Sequence, residues 1–316
     1  MPNSTQGIIK AWLPLACAAT LLGPTLAHAA DPESCATVRF SDVGWTDITS
    51  TTAAASVVLE GLGYEPEVEI LSVPVTYASM KNKDIDVFLG NWMPTMEGDV
   101  RPYLDDGSVE SIGVNLEGAK YTLAVPSYLA EQGLKDFADI NKFREQLEGQ
   151  IYGIEPGNDG NRLILEMIEQ DAFGLSGFEL VESSEQGMLA QVERATRGED
   201  PIVFLGWEPH PMNSNFEITY LSGGDEVFGA STVYTNVRAG YLDECPNLGQ
   251  LLKNLKFTAE METQIMIAIN DGADPEDAAS AWLKEHPEVL DGWLEGVTTF
   301  DGESGLPAVK EHLGIS

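Results

Sequence analysis

Ser41-Asp42-Val43-Gly44-Trp45-Thr46-Asp47-Ile48-Thr49 joins an apolar, β-branched run, Thr37–Val43, to a Thr/Ala-rich stretch, Ile48–Leu62. The first run has the length and composition of a buried strand, and the second carries helical periodicity. Gly63 follows as a C-terminal stop, and Thr46 or Asp47 is available as N-cap. The stretch therefore reads as a strand-to-helix corner that sets an indole beside a carboxylate.

Working outward, strands and helices go on alternating. Glu67–Val73, Ile85–Leu89, Tyr121–Val125, Ile151–Ile154, Phe178–Val181 and Pro201–Leu205 read as strands, with helical segments between them. From Leu242 onward the pattern is almost purely helical. Such alternation predicts an α/β fold, a parallel sheet with helices on its faces. A second βα unit beginning near Ala119 and the long helical return suggest two lobes crossed twice by the chain. The expected division is residues 31–117 with 216–316 in one lobe and 118–215 in the other. No internal repeat is visible.

Residues 1–30 read as a cleavable secretion signal: one charge, Lys10, a mostly apolar run from Ala11 to Leu26, and Ala27-His28-Ala29 before the cut. Pro14 and Pro24 break that run, which is also short for a membrane span. Pro14 likewise makes the residues before Cys17 a poor lipidation signal, so a soluble periplasmic product is expected. Two cysteines then remain, Cys35 and Cys245. In an oxidising compartment an even pair favours one disulfide, with two free thiols as the alternative. The chain carries 51 acidic and 17 basic residues, a formal net charge of −34, and removing the signal takes one lysine and no acid. That excess repels nucleic acid and gives a cationic ligand a favourable long-range potential.

Trp92, in Leu89-Gly90-Asn91-Trp92-Met93-Pro94, and Trp207, in Phe204-Leu205-Gly206-Trp207-Glu208-Pro209, sit at corners resembling that of Trp45. Asn158, in Glu155-Pro156-Gly157-Asn158-Asp159-Gly160, also follows a predicted strand, and Tyr121 begins one. Ligands of open α/β sheets bind outside the carboxyl ends of strands, so two facing lobes would gather these residues at one cleft. Three indoles and a phenol suit a methylated ammonium ion. It has no N–H to donate, but aromatic quadrupoles attract it by about 0.5–2 kcal/mol per ring. Asp47 is either an N-cap or a countercharge, and Tyr121 either a cage wall or a core strand residue. Asn158 is placed to bond a ligand's polar end, and Asp42 is a further candidate. Trp282 and Trp293 read as helix packing, and Met93, Met96 and Met212 as packing behind the corners.

The phrases Ser41–Thr49, Leu89–Pro94 and Gly206-Trp207-Glu208-Pro209-His210-Pro211-Met212-Asn213 closely resemble the periplasmic choline-binding proteins of ABC importers, relatives of the glycine betaine and proline betaine receptors. The resemblance covers essentially the whole chain after residue 30. It implies a type II periplasmic-binding fold that closes by hinge motion, working as a monomer with an inner-membrane ABC permease. It implies a cage of Trp45, Trp92, Tyr121 and Trp207, with Asp47 and Asn158 taking the choline hydroxyl or countering its charge. Cys35–Cys245 also looks like that subgroup's disulfide.

Between ligands, Asp47 would repel the carboxylate of glycine betaine yet accept a bond from choline's hydroxyl, which favours choline. Arg162 and the helix start after Gly160 remain possible donors to an anion, so betaine or another quaternary ammonium is the alternative, for transport or for sensing. Catalysis is not expected. His210, His286 and His312 are widely spaced without a metal-ligand pattern, no Gly-x-Ser-x-Gly occurs, and no cofactor is implied.

Overall fold

The computed structural model describes residues 31–315 together with Met1 and Pro2. The expected secretion signal and Cys17 lie outside the described residues. Nine strands follow in order: β1 (Thr37–Asp42), β2 (Glu65–Ile70), β3 (Val87–Met93), β4 (Val109–Pro126), β5 (Gln150–Tyr152), β6 (Glu179–Val181), β7 (Phe204–Glu208), β8 (Ile218–Tyr220) and β9 (Ser231–Arg238). They form one path, β2-β1-β3-β9-β4-β7-β5-β6, with β8 pairing β4 beside it.

β1 runs parallel to β2 and β3, and β5 runs parallel to β6 and β7. Each half is thus three parallel strands with the earliest in the middle. Each is also flanked by one antiparallel strand, β9 beside β3 and β4 beside β7. The topology repeats although the sequence shows no repeat.

β4 connects the halves. Its residues Val109–Ala119 pair with β9, whereas Lys120–Ala124 pair with β7. β4 is antiparallel to β9, and β9 to β3, so β4 points along the first parallel set. It is antiparallel to β7, so it points against the second. Both sets therefore aim their carboxyl ends at the place where β4 passes between them, around Tyr121. The return runs from β8, which pairs the end of β4, to β9.

The helix α1 (Thr46–Gly61) starts two residues earlier than the sequence predicts. Its N-cap position is Trp45, with no side-chain cap, so neither Thr46 nor Asp47 caps it. Every residue from Ser50 to Leu59 is buried. A helix buried all round needs small side chains on several faces. The Thr, Ala and Ser of α1 supply them, letting the helices Ala259–Asn270, Pro275–Glu285 and Gly305–His312 pack against it.

The last third is helical, as its pattern predicts. A Cys35–Cys245 disulfide, with Cα atoms 5.9 Å apart, ties the helix Pro246–Asn254 to the start of β1. No helix among the described residues is long and apolar enough to cross a membrane.

Candidate functional site

Trp45, Asp47, Trp92, Tyr121, Asn158 and Trp207 line one cavity together with Ile154. The space between their atoms amounts to about 240 Å³, counting the part that opens to solvent. All six expected residues are nearly sealed from water, from 1% exposed at Asp47 and Asn158 to 6% at Tyr121.

The two halves contribute from equivalent places. Trp45 and Asp47 stand at the corner after β1, and Asn158 at the corner after β5. Trp92 and Trp207 lie near the ends of β3 and β7. They are strand residues, where the sequence reading has them at corners, because both ladders continue through the indoles: Trp92 pairs with Val233 and Trp207 with Tyr121. Direct opposition across an antiparallel pair puts two side chains on one face. Tyr121 accordingly meets Trp207 edge-on at 6.1 Å between ring centroids and Trp92 at 5.9 Å. Phe228 packs behind Tyr121 at 5.8 Å.

The glycines that precede the three indoles have different roles. Gly44 has φ +79°, a conformation costly for any other residue. Gly90 and Gly206 have no such need. A Cβ on Gly90 would stand 2.8 Å from Ile48 side-chain carbons, and one on Gly206 would stand 3.0 Å from Ala124 Cβ and Tyr220 Cε1.

Several polar groups of the wall are held by hydrogen bonds. Trp92 Nε1 donates to Asp47 Oδ2 at 3.1 Å, and Trp45 Nε1 donates to Glu155 Oε1 at 2.8 Å. Asn158 caps the helix Asp159–Glu169. Its Oδ1 accepts the Asn161 N–H at 2.9 Å and the Tyr121 hydroxyl at 3.0 Å. Its Nδ2 donates to Asp159 Oδ1 at 3.0 Å, leaving a second amide proton for a ligand. Asp47 Oδ1 is buried without a hydrogen-bond partner among the described residues. Burial, and secondarily the nearby Glu185 carboxylate, push the Asp47 carboxyl up to about 8. Burial raises Asp159 to about 7.

Asp42 and Arg162 are not in the lining. Asp42 accepts the Gly44 N–H and the Thr49 hydroxyl, each at 2.7 Å, and so fixes the corner. Arg162 donates to Thr95 O at 2.8 Å, Asp99 at 3.0 Å and Glu166 at 3.1 Å. Among the described residues, no lysine or arginine lines the cavity. Trp293 is buried and donates to Lys256 O, and Trp282 stacks on His286, both away from the site. Met96 and Met212 are buried and Met93 is partly buried, none of them in the lining.

Ile154 and Glu155 went unselected in the sequence although they adjoin the quoted Asn158 turn. His210 sat inside a quoted phrase. Glu185 had no signal at all, being one acid among 51 acidic residues.

A family model described as the substrate-binding domain of ABC-type glycine betaine transport systems, OpuAC, matches residues 36–285. A solved ABC-transporter choline-binding protein in complex with choline is 65% identical, over 90% of this chain and 100% of that one, with a TM-score of 0.88. An ABC-transporter choline-binding protein in an unliganded, semi-closed conformation matches with the same identity and coverage and a TM-score of 0.82. Lactococcal OpuAC, closed on glycine betaine, is 27% identical over 81% of this chain and 98% of its own, at 0.75.

Proposed function

We propose that this chain, which belongs to the OpuAC family of substrate-binding domains of ABC-type glycine betaine transport systems, captures choline in the cage of Trp45, Trp92, Tyr121 and Trp207. Its fold is the two-lobed α/β arrangement of periplasmic binding proteins, and it is the substrate-binding component of an ABC importer. The observation that carries choline is the composition of the lining. Four aromatic rings surround a buried carboxyl with one unpaired oxygen, and no basic side chain stands among them.

The rings take the trimethylammonium head by cation–π attraction. Asp47 Oδ1 accepts the choline hydroxyl or counters the charge, and the free proton on Asn158 Nδ2 reaches the hydroxyl oxygen. The 65% identity to a choline-bound protein supports the same reading. The higher TM-score to that form than to the semi-closed one accords with the burial of all six residues here. The lobes on this reading are 31–117 with 221–316, and 118–220, which moves the expected second crossing at 215/216 to the end of β8. The passage of β4 supports the first crossing, and the pairing of β8 extends the second lobe to Tyr220. Secretion to the periplasm through residues 1–30, action as a monomer with an inner-membrane permease, and release of the ligand chemically unchanged complete the proposal.

Glycine betaine is the second reading, and one observation favours it. A carboxyl raised to about 8 holds its proton at neutral pH, and a protonated Asp47 can donate to a ligand carboxylate. Calorimetric titration of choline, glycine betaine and carnitine tests the choice. Choline is expected to bind tightest, and Trp45→Ala, Trp92→Ala or Trp207→Ala to weaken it at least tenfold, about 1.4 kcal/mol. Equal or tighter betaine binding would overturn the ligand, and undiminished affinity in the alanine variants would overturn the cage.

A further inference from the structure

Glu185 opens the helix Glu185–Gly198 and is 2% exposed, yet it is not part of the cavity lining. Its carboxylate faces three donors. Oε2 accepts the Thr46 backbone N–H at 2.9 Å, and Oε1 accepts the Thr46 hydroxyl and lies 3.2 Å from His210 Nε2. His210 Nδ1 accepts the Met212 N–H at 3.0 Å, which places the ring proton on Nε2. An acceptor ringed only by donors has the pattern of an ionised carboxylate.

Thr46 is the first residue of α1, a helix whose N-cap position has no side-chain acceptor of its own. The first N–H groups of a helix have no partner within it, and negative charge is favoured there. Glu185 supplies both needs from a distant element. It follows β6, at one end of the sheet path, while α1 follows β1, near the other end. The bond therefore crosses the cleft. Thr46 also lies between Trp45 and Asp47 in the chain, so holding its N–H and hydroxyl fixes the backbone that presents both.

We propose that Glu185 is a closure and positioning residue, a helix cap supplied across the cleft that forms as the two halves close and holds Trp45 and Asp47 in place. The proposal rests on the cage reading above. Because Glu185 acts through Thr46, it governs release of the ligand rather than the choice among ligands. Its charge also bears on the site. Asp47 senses Glu185 and is itself sensed by Glu262, from the helix Ala259–Asn270, and by Tyr121 of β4, while Asp42, Glu155 and His210 share the surroundings of Glu185.

The test is stopped-flow tryptophan fluorescence of choline release from the full-length protein, with small-angle scattering of the choline-saturated form. Glu185→Ala is expected to speed release by about tenfold or more, with Glu185→Gln intermediate because it keeps one acceptor oxygen. Both should lower the closed fraction and, well above pH 8 where Asp47 is ionised in every variant, leave the choline-to-betaine affinity ratio unchanged. Thr46→Val should speed release as well, and the double variant should fall short of the combined single effects, the signature of one shared interaction. Glu185→Gln should also move the pH midpoint of choline binding downward, since a negative neighbour of Asp47 is gone. Wild-type release in folded Glu185→Ala and Thr46→Val proteins would overturn the proposal, and so would additive effects or an affinity ratio altered in that high-pH range. If the wild type fails to bind choline, the choice of choline falls, and the same release measurements with glycine betaine decide the cap.

Discussion

Asp47 keeps its proton because burial disfavours the anion and the Glu185 charge adds to that, pushing the group up to about 8 from the ordinary 3.8. Between those values the folded state holds a proton that the unfolded chain has lost. The resulting stability is fully present below the unfolded value and is lost as pH rises through about 8. Asp159, at about 7, adds in the same sense. The ligand-free protein should therefore melt at a progressively lower temperature from pH 5 to 8, and Asp47→Asn should flatten part of that slope in scanning calorimetry. A bound cation reverses the balance by favouring the ionised carboxyl. Choline should thus bind up to about tenfold more tightly per pH unit on approach to 8, releasing a proton measurable by titration in two buffers of different ionisation enthalpy. Glycine betaine accepting from the neutral acid should weaken over the same range, and pH-independent choline affinity would remove Asp47 from the mechanism. The three indoles were legible in the sequence because residue type and position suffice to nominate them. The charge state of Asp47 was not, since it follows from burial and from Glu185, a neighbour remote in sequence.

At the scale of elements, the alternation of strand and helix was readable because a buried strand and an amphipathic helix impose different periods. β4 was read only at Tyr121–Val125 although it runs from Val109 to Pro126. Its first half includes Glu110, Glu117, Gly113 and Gly118, and its register against β9 shifts three times. No clean alternation survives such irregularity. β3 has a similar irregularity between Phe88 and Asn91, and Gly90 lies inside it with the Ile48 side chain where a methyl group would go. Ile48 follows Asp47 on α1, so the bulge and the carboxyl share one packing unit. Gly90→Ala should cost about 1–3 kcal/mol in urea unfolding, the usual range for overpacking a core. It should also weaken choline, because the Ile48 side chain that must shift follows Asp47 in the first turn of α1. Unchanged stability would mean that the Ile48 and Phe88 side chains move aside freely.

Two parallel strand sets that face each other across β4 explain why residues far apart in sequence converge, and why no sequence repeat announced it: the repeat lies in the order and direction of the strands. Around that convergence the whole molecule carries a net charge of −34. A cation approaching from solvent feels the summed field, whereas a cation already in the cage feels chiefly the rings and carboxyl around it. Salt separates these contributions, because the screening length falls from about 30 Å at 0.01 M to about 3 Å at 1 M. The association rate of choline should therefore drop several-fold over that range, as for other electrostatically steered encounters, while its dissociation rate stays nearly constant. Glycine betaine has no net charge and serves as the control, with an association rate expected to change little. Stopped-flow fluorescence in a sodium chloride series measures all four rates. A parallel fall for both ligands would assign the salt effect to lobe closure, a step they share, and would deny the acidic surface any part in steering the cation.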